Sequence, residues 1–204
     1  ETVPSLRYVA RASGNIFETF EDKLNEVKFS STTIPQIYES YFGTGAESVV
    51  MRYLKEDDQT ITTFTGALPK ELLGSVVAGD AEVKGSFLPD NVTDLSTSPD
   101  GSKMFYLSNT GEIANGTVSG ILGDKKIQVF SSPFTEWLSA WPTSSLITLT
   151  TKPSGNVLGY MYAVDPNKKN FSKVFGDVLG LTTLTSPNRK LVLSGDNNLG
   201  LSIY

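Results

Sequence analysis

The sequence contains neither histidine nor cysteine, and these two absences exclude many kinds of active site. Without histidine, the chain holds no Ser-His-Asp triad, no histidine general base and no histidine-ligated metal. Without cysteine, it holds no thiol nucleophile, zinc ribbon, iron–sulfur cluster or disulfide. The chemistry that remains available depends on paired carboxylates, tyrosine, lysine or an oxygen-ligated cation.

Basic residues are few, and they form no cluster. Lysine and arginine total 17 against 22 acidic residues, which gives a net charge of −5. Nucleic acids and anionic membranes require a concentrated basic surface, so we expect neither as a partner. No apolar stretch approaches the roughly 20 residues that cross a bilayer, so we expect no membrane insertion in this segment. The chain begins with Glu1 rather than methionine, so a targeting signal could have been removed.

Helical periodicity is also missing. No segment repeats apolar residues at the i, i+3, i+4, i+7 spacing over three turns, and the best helical candidate, Pro69–Leu73, would make a single turn. The apolar fraction of 39% is nevertheless enough for a packed core, and 204 residues allow one domain or two small ones. These features favour an all-β protein.

Short apolar strands recur along the chain at a nearly constant interval. The intervals between their first apolar residues are 43, 55, 42 and 45 residues, and the longest contains an insertion at about Ala67–Asp90. Such a period is typical of a four-stranded propeller blade, since WD-type repeats run about 40–45 residues. The first apolar residues are Leu6, Val49, Met104, Leu146 and Leu191.

Turn-forming residues follow four of these five strands and lead into a second strand. Glycine, asparagine and aspartate adopt the positive φ of tight hairpins, so each pair predicts the two middle strands of a blade. The turns are Ala12–Asn15, Glu56–Gln59, Pro153–Asn156 and Gly195–Asn198. The candidate outer strands are Val27–Ser30, Lys126–Phe130 and Phe171–Phe175, and the candidate inner strands are Gln36–Phe42, Trp137–Trp141 and Gly180–Leu184.

We therefore predict an all-β fold, a β-propeller of four-stranded antiparallel blades, as a single domain or fragment. A sandwich or barrel is the rival architecture, but the regular recurrence favours the propeller. The insertion is either a binding loop or an outer strand near Ala81–Phe87, and we favour the strand. The expected blade units are approximately 1–33, 34–90, 91–134, 135–177 and 178–204.

The first and last units are incomplete, with three expected strands each. Either Glu1–Ser5 supplies a short inner strand to a five-bladed ring, or the chain is an arc of a longer propeller. The two sets of three strands do not complement each other neatly in one blade. We favour the arc, because the chain ends on an apparent strand at Tyr204. An open sheet edge also invites pairing with another chain, or with a missing C-terminal segment that closes the ring.

The turn Ser98-Pro99-Asp100-Gly101, followed by Lys103–Tyr106, resembles the WD-repeat-like propellers of the TolB type, in which such a turn introduces the second strand of each blade. The related turn at Ser186–Asn188 departs from this pattern, because it lacks both aspartate and glycine. The whole chain is also similar to uncharacterised, longer propeller proteins of candidate-phyla bacteria. This resemblance implies a binding or scaffolding module, often extracytoplasmic or in the cell envelope, and it carries over no functional residues.

Two acidic segments invite a functional interpretation. Glu56-Asp57-Asp58 places oxygen ligands close together, as calcium requires, but it lacks the alternating Asp-x-Asp-x-Asp-Gly pattern. A solvated hairpin turn explains this segment better, and a turn also explains Asp100-Gly101. We therefore expect no metal site.

Aromatic pairs are the other candidates for a site. Trp137 and Trp141 lie on the same face of a strand, where they either stack on a sugar in a central channel or fill the space between blades. We favour core packing, and we interpret Tyr160 and Tyr162 in the same way. A sialidase-like site is disfavoured, because only four arginines are present and the Ser-x-Asp-x-Gly-x-Thr-Trp box is absent.

Together these patterns indicate a non-enzymatic β-propeller module that binds a protein or glycan partner, with no catalytic residues, no metal and no cofactor. The ligand-binding residues are not evident from the sequence. The alternative is the propeller portion of a larger hydrolase whose catalytic residues lie outside this chain. The resemblance favours an extracytoplasmic or cell-envelope location.

Overall fold

The computed structural model describes residues 3–69, 82–188, 192–198 and 200–203. Within these ranges the chain forms eighteen β-strands and one short 3₁₀ turn at Thr44–Ala46. The strands are β1 (Ser5–Val9), β2 (Ile16–Phe20), β3 (Lys23–Lys28), β4 (Ile37–Phe42), β5 (Ser48–Leu54), β6 (Ile61–Ala67), β7 (Lys84–Phe87), β8 (Val92–Thr97), β9 (Lys103–Thr110), β10 (Ile113–Gly120), β11 (Ile127–Ser132), β12 (Trp137–Thr143), β13 (Leu146–Thr151), β14 (Leu158–Val164), β15 (Phe171–Leu179), β16 (Thr182–Thr185), β17 (Val192–Gly195) and β18 (Leu201–Ile203).

The strands form five antiparallel sheets, and each sheet uses only strands that are consecutive in the sequence. Sheets II (β4–β7), III (β8–β11) and IV (β12–β15) have four strands each. Sheets I (β1–β3) and V (β16–β18) have three strands each in the part of the chain that is described. The predictions of an all-β chain, of about five sheets and of incomplete first and last sheets are confirmed.

Several details differ from the sequence-based strands. Two strands, β8 and β10, were not predicted individually, and β15 continues to Leu179, beyond the unit boundary expected after residue 177. The insertion provides an outer strand, β7, within the expected segment, while residues 70–81, including most of the predicted helical turn, lie outside the described residues. The disfavoured alternative of an inner strand at Glu1–Ser5 does not hold in its described part, because Val3 and Pro4 form no strand and Ser5 begins β1.

The chain divides into two compact units. Unit 1 contains Glu1–Asn91 with Ile121–Gly123, and unit 2 contains Val92–Gly120 with Asp124–Tyr204. Unit 1 therefore holds sheets I and II, and unit 2 holds sheets III to V. The main boundary, between residues 91 and 92, lies one residue from the expected end of the second blade unit.

The core of unit 1 forms where sheet II is covered on both faces. The first five residues of β5 are buried without alternation, which is the pattern of a strand covered on both sides. Arg7 of sheet I also contacts the 3₁₀ turn between β4 and β5, because its Nη1 donates a hydrogen bond of 2.8 Å to the Ala46 carbonyl. The buried apolar cluster consists of Ile16, Phe29, Ile37, Val49, Met51, Phe64, Leu68 and Val83.

A recurring backbone contact shows which strand is missing from sheet I as described. In unit 2, the amide of Gly180 just before β16 donates to the Ser154 carbonyl in the turn between β13 and β14, over 2.8 Å. In unit 1, the amide of Ile34 donates to the Ser13 carbonyl in the turn between β1 and β2, over 2.9 Å. The β1–β2 turn therefore corresponds to the β13–β14 turn, which joins the second and third strands of sheet IV. By this correspondence β1 takes the position of a second strand in sheet I. Within the described residues, sheet I lacks the first strand and sheet V lacks the fourth.

The core of unit 2 contains the largest fully buried side chain of the described residues, that of Phe105 on β9. A Cβ atom at Gly116 would lie 2.6 Å from the Phe105 ring, so the ring packs directly on the glycine backbone of the neighbouring strand β10. This close approach explains why glycine occupies the middle of a strand. The remaining buried residues of this cluster are Leu107, Ala114, Val118, Val129, Phe130, Trp137, Trp141, Ile147, Leu149 and Val164.

Side-chain hydrogen bonds hold the Ser98-Pro99-Asp100-Gly101 turn. The Ser98 hydroxyl donates to Asp100 Oδ1 over 2.6 Å, the Ser102 amide donates to the same oxygen over 3.1 Å, and Gly101 has a φ of 71°. The turn at Ser186 keeps the first of these contacts, since its hydroxyl donates to Asn188 Oδ1 over 2.7 Å. The predicted turn role of Asp100-Gly101 is confirmed, and asparagine preserves the contact where aspartate is missing.

These turn carboxylates predict a pH dependence of stability. Hydrogen bonds, first from the Ser98 hydroxyl, lower the pKa of Asp100 to about 2, and those from Thr60 and Gln59 lower the pKa of Asp57 to about 2. A carboxylate with a depressed folded-state pKa stabilises the fold above its unfolded pKa near 3.8, and this stabilisation disappears as the pH falls through about 2. We expect the urea concentration at the unfolding midpoint to decrease as the pH is lowered from 4 to 2.

The matched variant is Asp100→Asn, which retains an amide oxygen but removes the charge. Its urea midpoint should change less than that of the wild type over the same pH range, because one of the titrating groups is gone. Parallel urea titrations of the wild type and of Asp100→Asn at pH 7, 4 and 2.5 measure the two changes. An identical acid sensitivity in the variant would show that Asp100 does not contribute.

Candidate functional site

An apolar cavity of about 400 Å³ opens in unit 2, where the end of sheet III meets the face of sheet IV. Its volume lies within the range of roughly 300–1,000 Å³ that is typical of ligand pockets. The walls come from the last three residues of β11, the connection that follows it, the first residue of β12, the last of β13, strand β14 with the residue before it, and the first residue of β15. The lining residues are Phe130, Ser131, Ser132, Pro133, Phe134, Trp137, Thr151, Val157, Leu158, Tyr160, Tyr162 and Phe171.

Aromatic side chains brace one another around the cavity. Trp137 contacts Phe130, Phe134 and Tyr162, with ring centroids 5.3 to 5.6 Å apart and interplanar angles of 81° to 86°. Phe171 contacts Phe130 and Tyr162 in the same edge-to-face manner, over 5.2 and 5.9 Å. Each such pair contributes about 0.5–1.5 kcal/mol beyond its buried area, so the rings hold the cavity open in one arrangement.

The cavity combines a buried base with an exposed apolar mouth. Trp137 is only 4% exposed, whereas Phe171 is 45% and Leu158 is 43% exposed. Val157 and Phe134 also remain accessible. Large apolar side chains that stay exposed around a concavity mark a surface that can bind another molecule.

Most polar groups of the lining have partners within the chain. Trp137 Nε1 donates to the Phe134 carbonyl over 2.7 Å, and Thr151 Oγ1 accepts from the Tyr160 amide over 3.0 Å. Ser132 Oγ accepts from the Phe134 amide over 3.0 Å, and Ser131 donates to Asn115. The cavity therefore offers mainly hydrocarbon surface.

A charged pair lies beside Tyr160, one of the lining residues. The Tyr160 hydroxyl donates to Asp177 Oδ1 over 3.1 Å, and Lys173 Nζ donates to Asp177 Oδ2 over 3.2 Å while lying 4.5 Å from the Tyr160 ring centroid. The Lys173 hydrogen bond lowers the pKa of Asp177, and the hydrogen bond to Asp177 raises the pKa of Tyr160. The raised pKa keeps the Tyr160 hydroxyl protonated at neutral pH.

The two tryptophans that the sequence offered as site candidates are both core residues. Trp137 and Trp141 are 4% and 6% exposed and belong to the same buried cluster, so the prediction of core packing is confirmed. The tyrosines follow the prediction of core packing only in part. Both are half buried and line the cavity, but only Tyr162 packs against the core cluster.

The acidic segment at Glu56–Asp58 forms a hairpin turn, as predicted. Asp57 Oδ1 accepts from the amides of Gln59 and Thr60, and Oδ2 accepts from the Thr60 hydroxyl. These bonds occupy the oxygens that a cation would need. No cluster of three or more acidic residues with metal-binding geometry occurs within the described ranges.

The sequence patterns did not identify the three phenylalanines of the cavity as residues of a site. Phe130, Phe134 and Phe171 lie in or beside predicted strands, yet nothing in a single strand pattern shows that they meet. The one available signal is the local density of aromatic residues between 130 and 137, with Pro133 among them.

Among the described residues, no helix has both the length and the apolar character to cross a membrane. No family model matches the sequence, and no curated protein matches it either.

Solved structures do resemble the fold. The β-propeller domain of the Trilobed protease from Pyrococcus furiosus, described as having an open velcro topology, superimposes with a TM-score of 0.61 at 12% identity, over 98% of this chain and 64% of that one. TolB from Acinetobacter baumannii gives a TM-score of 0.56 at 14% identity, over 98% and 52%. A chain of a nidogen–laminin complex gives 0.51 at 13% identity, over 96% and 70%.

This chain thus spans between half and two thirds of the length of the first two propellers. The likeness concerns the backbone, since the identities are low. Combined with the five antiparallel sheets, it shows that the chain has a β-propeller fold whose first and last sheets are incomplete in the described residues.

Proposed function

We propose that this chain is a non-enzymatic binding or scaffolding module that contacts a protein or glycan partner through the aromatic cavity of unit 2. The observation that carries the proposal is a preformed apolar cavity whose mouth exposes Phe171, Leu158 and Val157. The nidogen–laminin complex supports it, because a chain of similar fold occurs there in a protein complex. Binding surfaces of this kind concentrate their affinity in a few large apolar side chains.

An array of peptides and glycans tests this function on the folded chain. We expect at least one ligand at micromolar affinity, and we expect Phe171→Ala or Leu158→Ala to weaken it about tenfold or more. Val174→Ala is the matched control, since Val174 lies on the same strand and is 48% exposed but does not line the cavity. The absence of any micromolar ligand, or equal losses in all three variants, would contradict the proposal.

A second candidate function is the propeller portion of a larger hydrolase whose catalytic residues lie outside this chain. The likeness to the propeller domain of a protease favours this candidate. The test uses a longer protein that includes this segment. Hydrolytic activity of that protein, with catalytic residues in its additional sequence, would favour the hydrolase candidate over the binding module.

Sheet V has an exposed apolar face, which supports a second contact surface for a partner. Leu184, Leu193 and Ile203 lie opposite one another across the three strands and are 68%, 37% and 68% exposed. We propose that this face packs against another chain or a further segment that closes the ring. A compact monomer of 22.1 kDa in solution would contradict pairing with a second copy.

We also propose an extracytoplasmic or cell-envelope location in a bacterium. The resemblance of the Ser98–Gly101 turn to TolB-type propellers supports this location, as does the structural likeness to TolB. Detection of the native protein in fractionated cells tests it.

A further inference from the structure

We infer that the aromatic cavity of unit 2 accepts one large uncharged apolar side chain of a polypeptide partner, rather than a sugar or a cation. This inference rests on the binding function proposed above and narrows its ligand. It follows from the hydrogen bonding of the lining, the orientation of its rings and the strand that borders it.

The hydrogen bonding of the lining disfavours a sugar. A glycan binds through hydroxyl groups, which need free donors and acceptors in the site. Here the single donor of Trp137, Nε1, is already bonded to a carbonyl, and Thr151 Oγ1 and Ser132 Oγ already accept bonds from backbone amides. A sugar that entered would leave most of its hydroxyls without partners, and this loss is costly in a dry environment.

The orientation of the rings points in the same direction. Phe130 meets both Trp137 and Phe171 edge to face, and Trp137 meets Tyr162 in the same way, so in each pair the edge of one ring lies against a face of the other. A stacked sugar and a bound quaternary ammonium both require an open ring face. At the mouth, the face of Tyr160 is already occupied by the Lys173 ammonium.

An apolar side chain satisfies the conditions that remain. Water is poorly accommodated in a cavity whose lining offers few free polar groups, so displacing it with hydrocarbon is favourable. The lining, as far as the chain is described, holds no carboxylate, guanidinium or ammonium group, which matches an uncharged ligand. The volume of about 400 Å³ accommodates a phenylalanine or leucine side chain with its adjoining backbone.

The neighbouring strand favours a polypeptide over a free small molecule. β15 is the outer strand of sheet IV, and no strand pairs with its second edge in the described residues. It begins at Phe171, which lines the cavity. An extended partner segment can pair with such an edge while one of its side chains enters the adjoining pocket.

The two tryptophans of the chain supply a direct test. A ¹⁵N–¹H correlation spectrum shows two indole signals, and only Trp137 lines the cavity, so Trp141 serves as the internal control. We expect N-acetyl-L-phenylalaninamide and N-acetyl-L-leucinamide to shift the Trp137 signal with a dissociation constant on the order of 1 mM, typical of a ligand this small. Methyl β-D-glucopyranoside and tetramethylammonium should leave it unchanged.

Variants locate the binding. Phe171→Ala should weaken the titration of N-acetyl-L-phenylalaninamide by about threefold to tenfold, whereas Val174→Ala should leave it unchanged. An unchanged Trp141 signal in each variant shows that the fold is retained, and Leu158→Ala replaces Phe171→Ala if that signal moves.

The outcomes separate this inference from the proposed function. A Trp137 shift with the glucoside or the cation, but not with the amides, overturns the inference and leaves a binding cavity. No shift with any probe also overturns it, while the array then decides the binding function independently. Equal shifts at Trp137 and Trp141 overturn it too, because they report a general change in the protein.

Discussion

Replacing Gly14 by alanine is expected to destabilise unit 1 by about 2–5 kcal/mol. Gly14 has a φ of 69°, where an L-residue costs about 1–2 kcal/mol. In addition, a Cβ atom would lie 2.3 Å from the Ile34 carbonyl oxygen, which is backbone and cannot rotate away. The Ile34 amide is itself bonded to Ser13, so relieving the clash breaks the contact that links the β1–β2 turn to the segment before β4. Urea unfolding followed by circular dichroism measures the loss.

Gly111→Ala is the matched control for this prediction. Gly111 has a similar φ of 62°, but nothing lies within 4 Å of the position of its Cβ atom. The substitution should therefore cost about 1–2 kcal/mol, from the backbone conformation alone. Equal effects of the two substitutions would show that the close approach at Ile34 is not rigid.

Truncation of Phe105 to alanine is expected to cost about 3–5 kcal/mol in unit 2. The side chain is fully buried, and it packs on Gly116 in the centre of the cluster that also contains Trp137. Its removal leaves a cavity that the surrounding sheets fill only in part. Both tryptophans lie in unit 2, so tryptophan fluorescence in a urea titration reports the unfolding of this unit.

Phe171→Ala provides the comparison within the same unit. This side chain is 45% exposed, so its truncation should cost about 1 kcal/mol, mainly from the contacts with Phe130 and Tyr162. A loss as large as that of Phe105→Ala would contradict the assignment of Phe105 to the centre of the core.

Turn chemistry made most of the fold predictable. Segments such as Ala12–Asn15 and Pro153–Asn156 combine glycine or asparagine with flanking β-branched residues, and a hairpin forms at each. The strands that were not predicted, β8 and β10, are rich in serine, threonine and glycine. Tertiary contacts determine these strands, as when Phe105 covers Gly116, and a local pattern does not contain that information.

The candidate site was less predictable, for a related reason. The sequence identified Trp137 and Tyr162 as strand residues that share faces with their neighbours. It did not show that Phe130, from sheet III, meets Phe171 at the start of the last strand of sheet IV. Residues 41 positions apart meet here because two sheets pack together, and the strand alternation within either sheet says nothing of the other.

Each sheet consists of strands that follow one another in the chain, so no strand pairing links one sheet to another among the described residues. Duplication or deletion of a gene segment that encodes one whole sheet would therefore leave every remaining hairpin intact. Related genes can consequently differ in length by multiples of one such segment while their products keep the same internal register. Unequal recombination, rather than gradual remodelling of strands, is the expected route by which proteins of this kind change size during evolution.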